Sequence, residues 1–160
     1  MGRILAIAVL ICCCSCEENS VFHQYQTVDN QGWSKGKTYN FTIQELDSLK
    51  RYDLFLRLRN NHNYPYRNLF VITTMNFPNG KQVKDTLEYV MAAPDGQWLG
   101  QGVGELKENK LWYKEGVRFR ESGAYSFSIA HAMRKNGSAT GDATLPGITE
   151  VGLQITEQTN

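Results

Sequence analysis

Glu121-Ser-Gly-Ala-Tyr-Ser-Phe-Ser-Ile-Ala-His-Ala-Met133 is the most regular stretch of the chain. Tyr125, Phe127, Ile129, His131 and Met133 fall on alternate positions, with serine and alanine between them. A period of two puts all five large side chains on one face of an extended strand, and helical spacing would not. The segment therefore predicts a half-buried β-strand, whose apolar face needs a second layer to cover it.

Outward from it the same alternation recurs in both directions. Downstream, a turn-rich loop from Arg134 to Gly147 leads to a closing strand, Ile148 to Ile155, with Val151, Leu153 and Ile155 aligned. Upstream, Leu111 to Phe119 is a weaker strand interrupted near Gly116, and Val83 to Met91 alternates through Val83, Leu87, Tyr89 and Met91. Leu69 to Phe77 is rich in β-branched and aromatic residues. Pro78-Asn79-Gly80 links it to the next strand, and Asn-Gly readily supplies the positive φ angles of a tight hairpin turn. Pro94-Asp95-Gly96 marks the following reversal. Tyr52 to Arg59 sends Leu54, Leu56 and Leu58 to one face and Arg57 and Arg59 to the other, and Tyr39 to Ile43 alternates as well. Between those two, Thr42-x-x-Glu45 has the form of a capping box and could open a short helical turn through Leu46 and Leu49.

About seven short strands with turn signals between them predict an all-β fold, a single antiparallel sandwich over residues 33–160. Glu121, Gly123 and Tyr125 resemble the tyrosine corner of immunoglobulin-type sandwiches, in which the hydroxyl bonds back to the backbone at a strand corner. Phe127 stands where those domains carry a cysteine, so a ring would fill the space of the disulfide. The expected sandwich is thus immunoglobulin-like.

The first residues read differently. Arg3 precedes an apolar run from Ile4 to Ile11, and the small residue Ser15 sits directly before Cys16. That order is a signal peptide's, and the run is too short for a bilayer, which needs about 20 apolar residues. The site resembles a bacterial lipobox, with residues 1–15 removed and Cys16 carrying a diacylglycerol and an acyl chain such as palmitate. Cys12, Cys13 and Cys14 compete, but Ser15 selects Cys16, because Ile11 before Cys12 is not small. Residues 16–32 then read as the lipidated N-terminus and a polar tether, in which Glu17 and Glu18 are a sorting signal or plain linker. This predicts a protein of the cell envelope, lipid-anchored, at the outer rather than the inner membrane. No cysteine follows Cys16, so a zinc site and a disulfide are both excluded. Without Arg3 the sixteen remaining basic residues balance 16 acidic ones, against nucleic acid as a partner.

Chemistry has no visible seat. Gly100, Gly102 and Gly104 follow Trp98, but Glu105 stands where a dinucleotide fingerprint needs glycine, and no helix pattern follows. His23 and His62 fall in polar segments, and His131 lies on the apolar face of its strand, where packing suits it better than metal. No metal, no other cofactor, no catalytic residue and no small-molecule substrate is expected. Trp33, Trp98 and Trp112, with Tyr64 and Tyr66, could line a carbohydrate platform, and that makes a surface carbohydrate-binding lipoprotein the alternative reading. The same rings fill cores equally well. Asp47-Ser48-Leu49 and Asp85-Thr86-Leu87 match the short sequon for O-glycosylation of exported Bacteroidota proteins, which marks Ser48 and Thr86.

Arg59-Asn-Asn-His-Asn-Tyr-Pro-Tyr-Arg-Asn-Leu69, Asp95-Gly-Gln-Trp-Leu-Gly-Gln-Gly102, Gly123-Ala-Tyr125 and Leu145-Pro-Gly-Ile-Thr-Glu-Val-Gly-Leu153 resemble the gliding-motility lipoprotein GldH family of the Bacteroidota. The resemblance implies a non-enzymatic envelope lipoprotein of the gliding machinery, associated with protein secretion across the outer membrane. It implies envelope proteins as partners and supplies no catalytic residues. Tyr64 and Tyr66 flank the stiffening Pro65, and Trp98 lies in the next loop, so these three rings are expected either to bind a partner or to plug the end of the sandwich.

Overall fold

The computed structural model describes residues 19–44, 46–134 and 141–159. It has ten strands: β1 (Ser20–Thr27), β2 (Trp33–Ser34), β3 (Tyr39–Ile43), β4 (Tyr52–Asn60), β5 (Asn68–Asn76), β6 (Gln82–Val90), β7 (Lys107–Val117), β8 (Tyr125–His131), β9 (Thr144–Leu145) and β10 (Ile148–Glu157). One sheet has the order β1-β10-β4-β7 and the other β3-β8-β5-β6, while β2 and β9 form a separate two-stranded ribbon. Every pairing is antiparallel.

The sandwich is as expected, but its connectivity is not immunoglobulin-like. Numbering the eight long strands in chain order gives 1-8-3-6 in one sheet and 2-7-4-5 in the other, the order of a jelly roll. Apart from the β5–β6 hairpin, each long strand is followed by one in the opposite sheet. Local alternation carries no trace of that choice. The tyrosine corner itself is present: the Tyr125 hydroxyl donates to Glu121 Oε2 at 2.6 Å and accepts the Glu121 N–H at 3.0 Å. The hydrogen bond to Tyr125 holds the Glu121 carboxyl below the usual range.

The expected tether is corrected over part of its length. Residues 20–27 are not linker but the edge strand β1, paired with β10 from Ser20↔Thr156 to Thr27↔Glu150. Its outer positions are polar because an edge strand meets water on one side, so backbone pairing rather than apolar alternation holds it. The domain thus begins before residue 33. Residues 1–18, and with them Cys16, lie outside the described residues, as does Glu45 of the expected capping box. The neighbouring Asp47–Lys50 segment is a turn and not a helix, closed by the Lys50 N–H to the Asp47 carbonyl and the Leu49 N–H to Asp47 Oδ1.

The period-two face predictions hold. Leu54, Leu56 and Leu58 of β4 and Val151, Leu153 and Ile155 of β10 are buried against Phe41, Ile43, Val71, Phe127 and Ile129 of the opposite sheet. Each such side chain contributes roughly 1.5–3 kcal/mol relative to exposure. Phe55 is the exception: it points outward with the arginines, yet is only 6% exposed. The Trp112 ring packs edge-on to it at 4.8 Å and the Lys110 ammonium lies 4.1 Å from its centroid. One open side of the sandwich is closed between β6 and β7 by Tyr89 donating to the Trp112 carbonyl, Tyr113 to Asp85, and the Lys114–Asp85 ion pair.

The strands define two ends. The terminal end gathers Asn19, the start of β4, the end of β10 and the 44–51, 77–81 and 118–124 connections. The loop end gathers the 28–38, 61–67 and 91–106 connections and the 132–134 and 141–147 segments.

His131 gives the fold a pH dependence. It lies edge-on to Trp33 at 5.4 Å, buried. Burial pushes its pKa down, outweighing the nearby Trp33 backbone and the charge of Asp142, which act upward; Lys35 acts downward too. Above the unfolded value of about 6.5 the ring is neutral in both states and costs nothing. Below about 6.5 the unfolded chain takes up a proton that the folded chain resists, so stability falls with pH until the lower folded pKa is reached. Urea unfolding between pH 7.5 and 5 should show this loss, and His131→Gln should flatten it.

Candidate functional site: the loop end of the sandwich

Tyr64, Tyr66 and Trp98 come together at the loop end, from two different loops. Tyr64 is the hub. Its ring lies 6.0 Å from Tyr66 and 6.1 Å from Trp98, and its hydroxyl donates to the Asn68 carbonyl at 2.7 Å. It is only 3% exposed, and burial pushes its hydroxyl pKa far up. Tyr64 is therefore the plug of this end, the second of the two roles expected for it, and not a partner-binding residue. Tyr66 and Trp98 pack against the core and keep part of their surface in solvent. The Tyr66 hydroxyl donates to Asp142 Oδ2 at 2.5 Å, and that bond, with burial, raises its pKa.

Local chemistry explains the positioning. Asn61 Oδ1 accepts the Asn63 N–H at 3.0 Å and the Asn61 carbonyl accepts the Tyr64 N–H, closing the turn that aims Tyr64 inward. Pro94-Asp95-Gly96 forms the expected reversal, with the Ala93 N–H to the Gln97 carbonyl at 2.8 Å, and the Leu99 N–H bonds the Met91 carbonyl. The 145–147 turn reaches the 61–67 loop through the Asn61 N–H to the Gly147 carbonyl at 2.8 Å. His62 Nδ1 lies 3.8 Å from Glu105 Oε2 and bridges two of the loops.

The five rings proposed as a sugar platform do not share one surface, since Trp33 and Trp112 stand apart from the other three. Trp33 is fully buried, its Nε1 donating to the Lys37 carbonyl, while Trp112 is 49% exposed on the outer face of the β1-β10-β4-β7 sheet. Ser48 is exposed in the 47–50 turn at the terminal end, and Thr86 is exposed on the outer face of β6. Thr86 also borders a half-open cavity of about 780 Å³ that Tyr66, Phe70, Met133 and Arg134 line.

Two features escaped the sequence reading. Leu99 and Val103 are 57% and 101% exposed in the glycine-rich segment after Trp98. Apolar residues between glycines were the available signal. The second is a charged network on the outer face of the first sheet. Arg57 pairs with Glu108, which also accepts the Tyr25 hydroxyl at 2.8 Å, and Arg59 pairs with Glu150 at 2.6 Å and lies over the Tyr25 ring. Burial alone would raise Glu108, yet the bonds from Tyr25 and Arg57 and the charges of both arginines hold it below the ordinary carboxylate value. Those partners lie far apart in sequence, and nothing local announces them. Among the described residues no group of three or more His, Cys, Asp or Glu is placed to hold a metal, and no helix is long and apolar enough to cross a membrane.

Leu99, Val103 and Leu106 are exposed apolar side chains on one long connection of a β-sandwich, and the comparisons with known proteins say which family such a chain belongs to. The family described as GldH lipoprotein matches residues 20–155. The chain is 49% identical to a gliding motility lipoprotein GldH homolog of Christiangramia forsetii, over 96% of this chain and 94% of that one. It is 43% identical to the gliding motility lipoprotein GldH of Flavobacterium johnsoniae, over 98% and 96%. The chain belongs to the GldH lipoprotein family, which is named for a motility component.

Proposed function

We propose that this chain is a non-enzymatic accessory component of the gliding machinery, anchored by lipid at Cys16 in the outer membrane, that docks an envelope protein of that machinery or of the associated secretion apparatus through its loop end. The observation that carries the reading is the convergence of three separate stretches. Residues 59–69, 95–102 and 145–153, three of the four stretches that carry the family resemblance, meet around Tyr64, while Gly123–Tyr125 lies at the terminal end. There they present Tyr66, Trp98 and Leu99 at least partly to solvent, with Val103 exposed just beyond the second stretch. Aromatic and apolar groups on loops held by a rigid sandwich suit a protein interface.

The experiment is colony spreading on soft agar by a deletion strain complemented with variants. Leu99→Asp and Val103→Asp place charge on exposed side chains, so their melting temperatures should stay within about 3 °C of wild type. Spreading should be lost with either, or with Tyr66→Ala, while wild type restores it. Full spreading by both charge variants overturns the docking role. Failure of Cys16→Ala to restore spreading supports the anchor, and its full restoration counts against it.

A further inference from the structure

From the geometry we infer a second contact with the bilayer besides the lipid: the Asp47–Arg51 turn at the terminal end, with Leu49 at its tip, lies in the membrane interface. The inference rests on the lipid anchor proposed above. Cys16 is three residues before Asn19, so the two Cα atoms are at most about 11 Å apart. The headgroup layer on each side of a bilayer is itself about 5–8 Å thick. With β1 already paired from Ser20, no long spacer separates domain from lipid, and the terminal end is held at the headgroups.

Leu49 sits beside that exit. The Asn19 carbonyl accepts the Glu157 N–H at 2.8 Å, and Glu157 Oε2 pairs with Lys50 Nζ at 2.8 Å. The Arg51 carbonyl accepts the Gln158 N–H at 2.9 Å, tying the turn to the same strand. Leu49 is 84% exposed, and Val21, one residue into β1, is 42% exposed. An apolar residue at a turn tip, followed by Lys50 and Arg51, suits the boundary between acyl chains and headgroups: the leucine enters it and the cationic heads remain in the polar layer. Asp47 accepts the Leu49 N–H and stiffens the turn, so insertion need not order a loose loop. Arg51, Arg118 and Arg120 are exposed at the same end as Asp47, so attraction to anionic headgroups adds to the apolar contact.

Two consequences follow. Ser48 would be buried against headgroups, which leaves Thr86 as the accessible glycosylation sequon. The loop end would point away from the membrane, about 30 Å out, since β4 has nine residues at about 3.3 Å each.

The test uses the full lipoprotein in liposomes of phosphatidylethanolamine and phosphatidylglycerol. Because no cysteine follows Cys16, Leu49→Cys and Val103→Cys each add one reactive thiol for an environment-sensitive fluorophore. Both sites are exposed, so neither change disturbs the fold. Nitroxide-bearing lipids should quench the label at 49 severalfold more than at 103, with a blue-shifted emission at 49 alone. Equal quenching, or none at 49, on protein that mass spectrometry shows acylated at Cys16 overturns this inference and leaves the anchor standing. Unacylated Cys16 in the mature protein overturns the anchor and this inference together.

Discussion

Gly147→Ala should be the most damaging single-atom addition in the loop end, costing about 3 kcal/mol or more in urea unfolding. Two causes act together. Gly147 has φ +81°, where an L-residue with a Cβ costs roughly 1–2 kcal/mol. A Cβ there would also stand 2.1 Å from the Tyr64 nitrogen, 2.5 Å from its Cα and 2.6 Å from the Asn63 carbonyl carbon. These are backbone atoms, fixed by the turn that buries Tyr64, so no rotamer change relieves the overlap. Relief means pulling the 145–147 turn off the 61–67 loop and losing the Asn61–Gly147 hydrogen bond. Gly36→Ala is the control: φ is +82° but nothing lies within 4 Å of its Cβ, so only the conformational cost should appear. Equal losses at the two positions would show that the close approach at Tyr64 does not exist in solution.

Trp33→Ala should cost about 3–5 kcal/mol, the range for emptying a large aromatic site in a core. Trp33 is 0% exposed and packs edge-on to both Tyr39 and His131, each at 5.4 Å, so the cavity would open between β2, β3 and β8. Its Nε1–H bond to Lys37 would be lost as well. For a chain of this length the melting temperature should fall by about 10 °C. Admitting water next to His131 should also weaken the acid-side loss of stability described above, because burial is the main cause of that residue's lowered pKa. Trp112→Ala, which removes a half-exposed ring from the outer face, should cost about 1 kcal/mol. Similar losses at the two tryptophans would contradict the burial that separates them.

How much of this was legible depends on the range of the interaction. Tyr39–Ile43 was bounded correctly, and β4, β5, β6, β8 and β10 lie within a few residues of the expected spans, because one buried face imposes a period of two on each. The Asn79-Gly80 turn and the Tyr125 corner are written in adjacent residues and were readable for the same reason. β1, β2 and β9 were missed. β1 meets water along much of its length, and two-residue strands are too short to show any period.

The candidate site divides along the same line. The sequence by itself determined that Tyr64, Tyr66 and Trp98 stand in stiff or glycine-rich loops and that the chain resembles a lipoprotein family. Only the tertiary structure decided which ring plugs the core and which reach solvent, because burial depends on the loop that packs on top. Gly147 covers Tyr64 from more than 80 residues away in sequence, and no local pattern records that approach. The same holds for jelly-roll against immunoglobulin-like order. Alternation fixes which face of a strand is apolar, while the partner of each strand is set by contacts between distant segments.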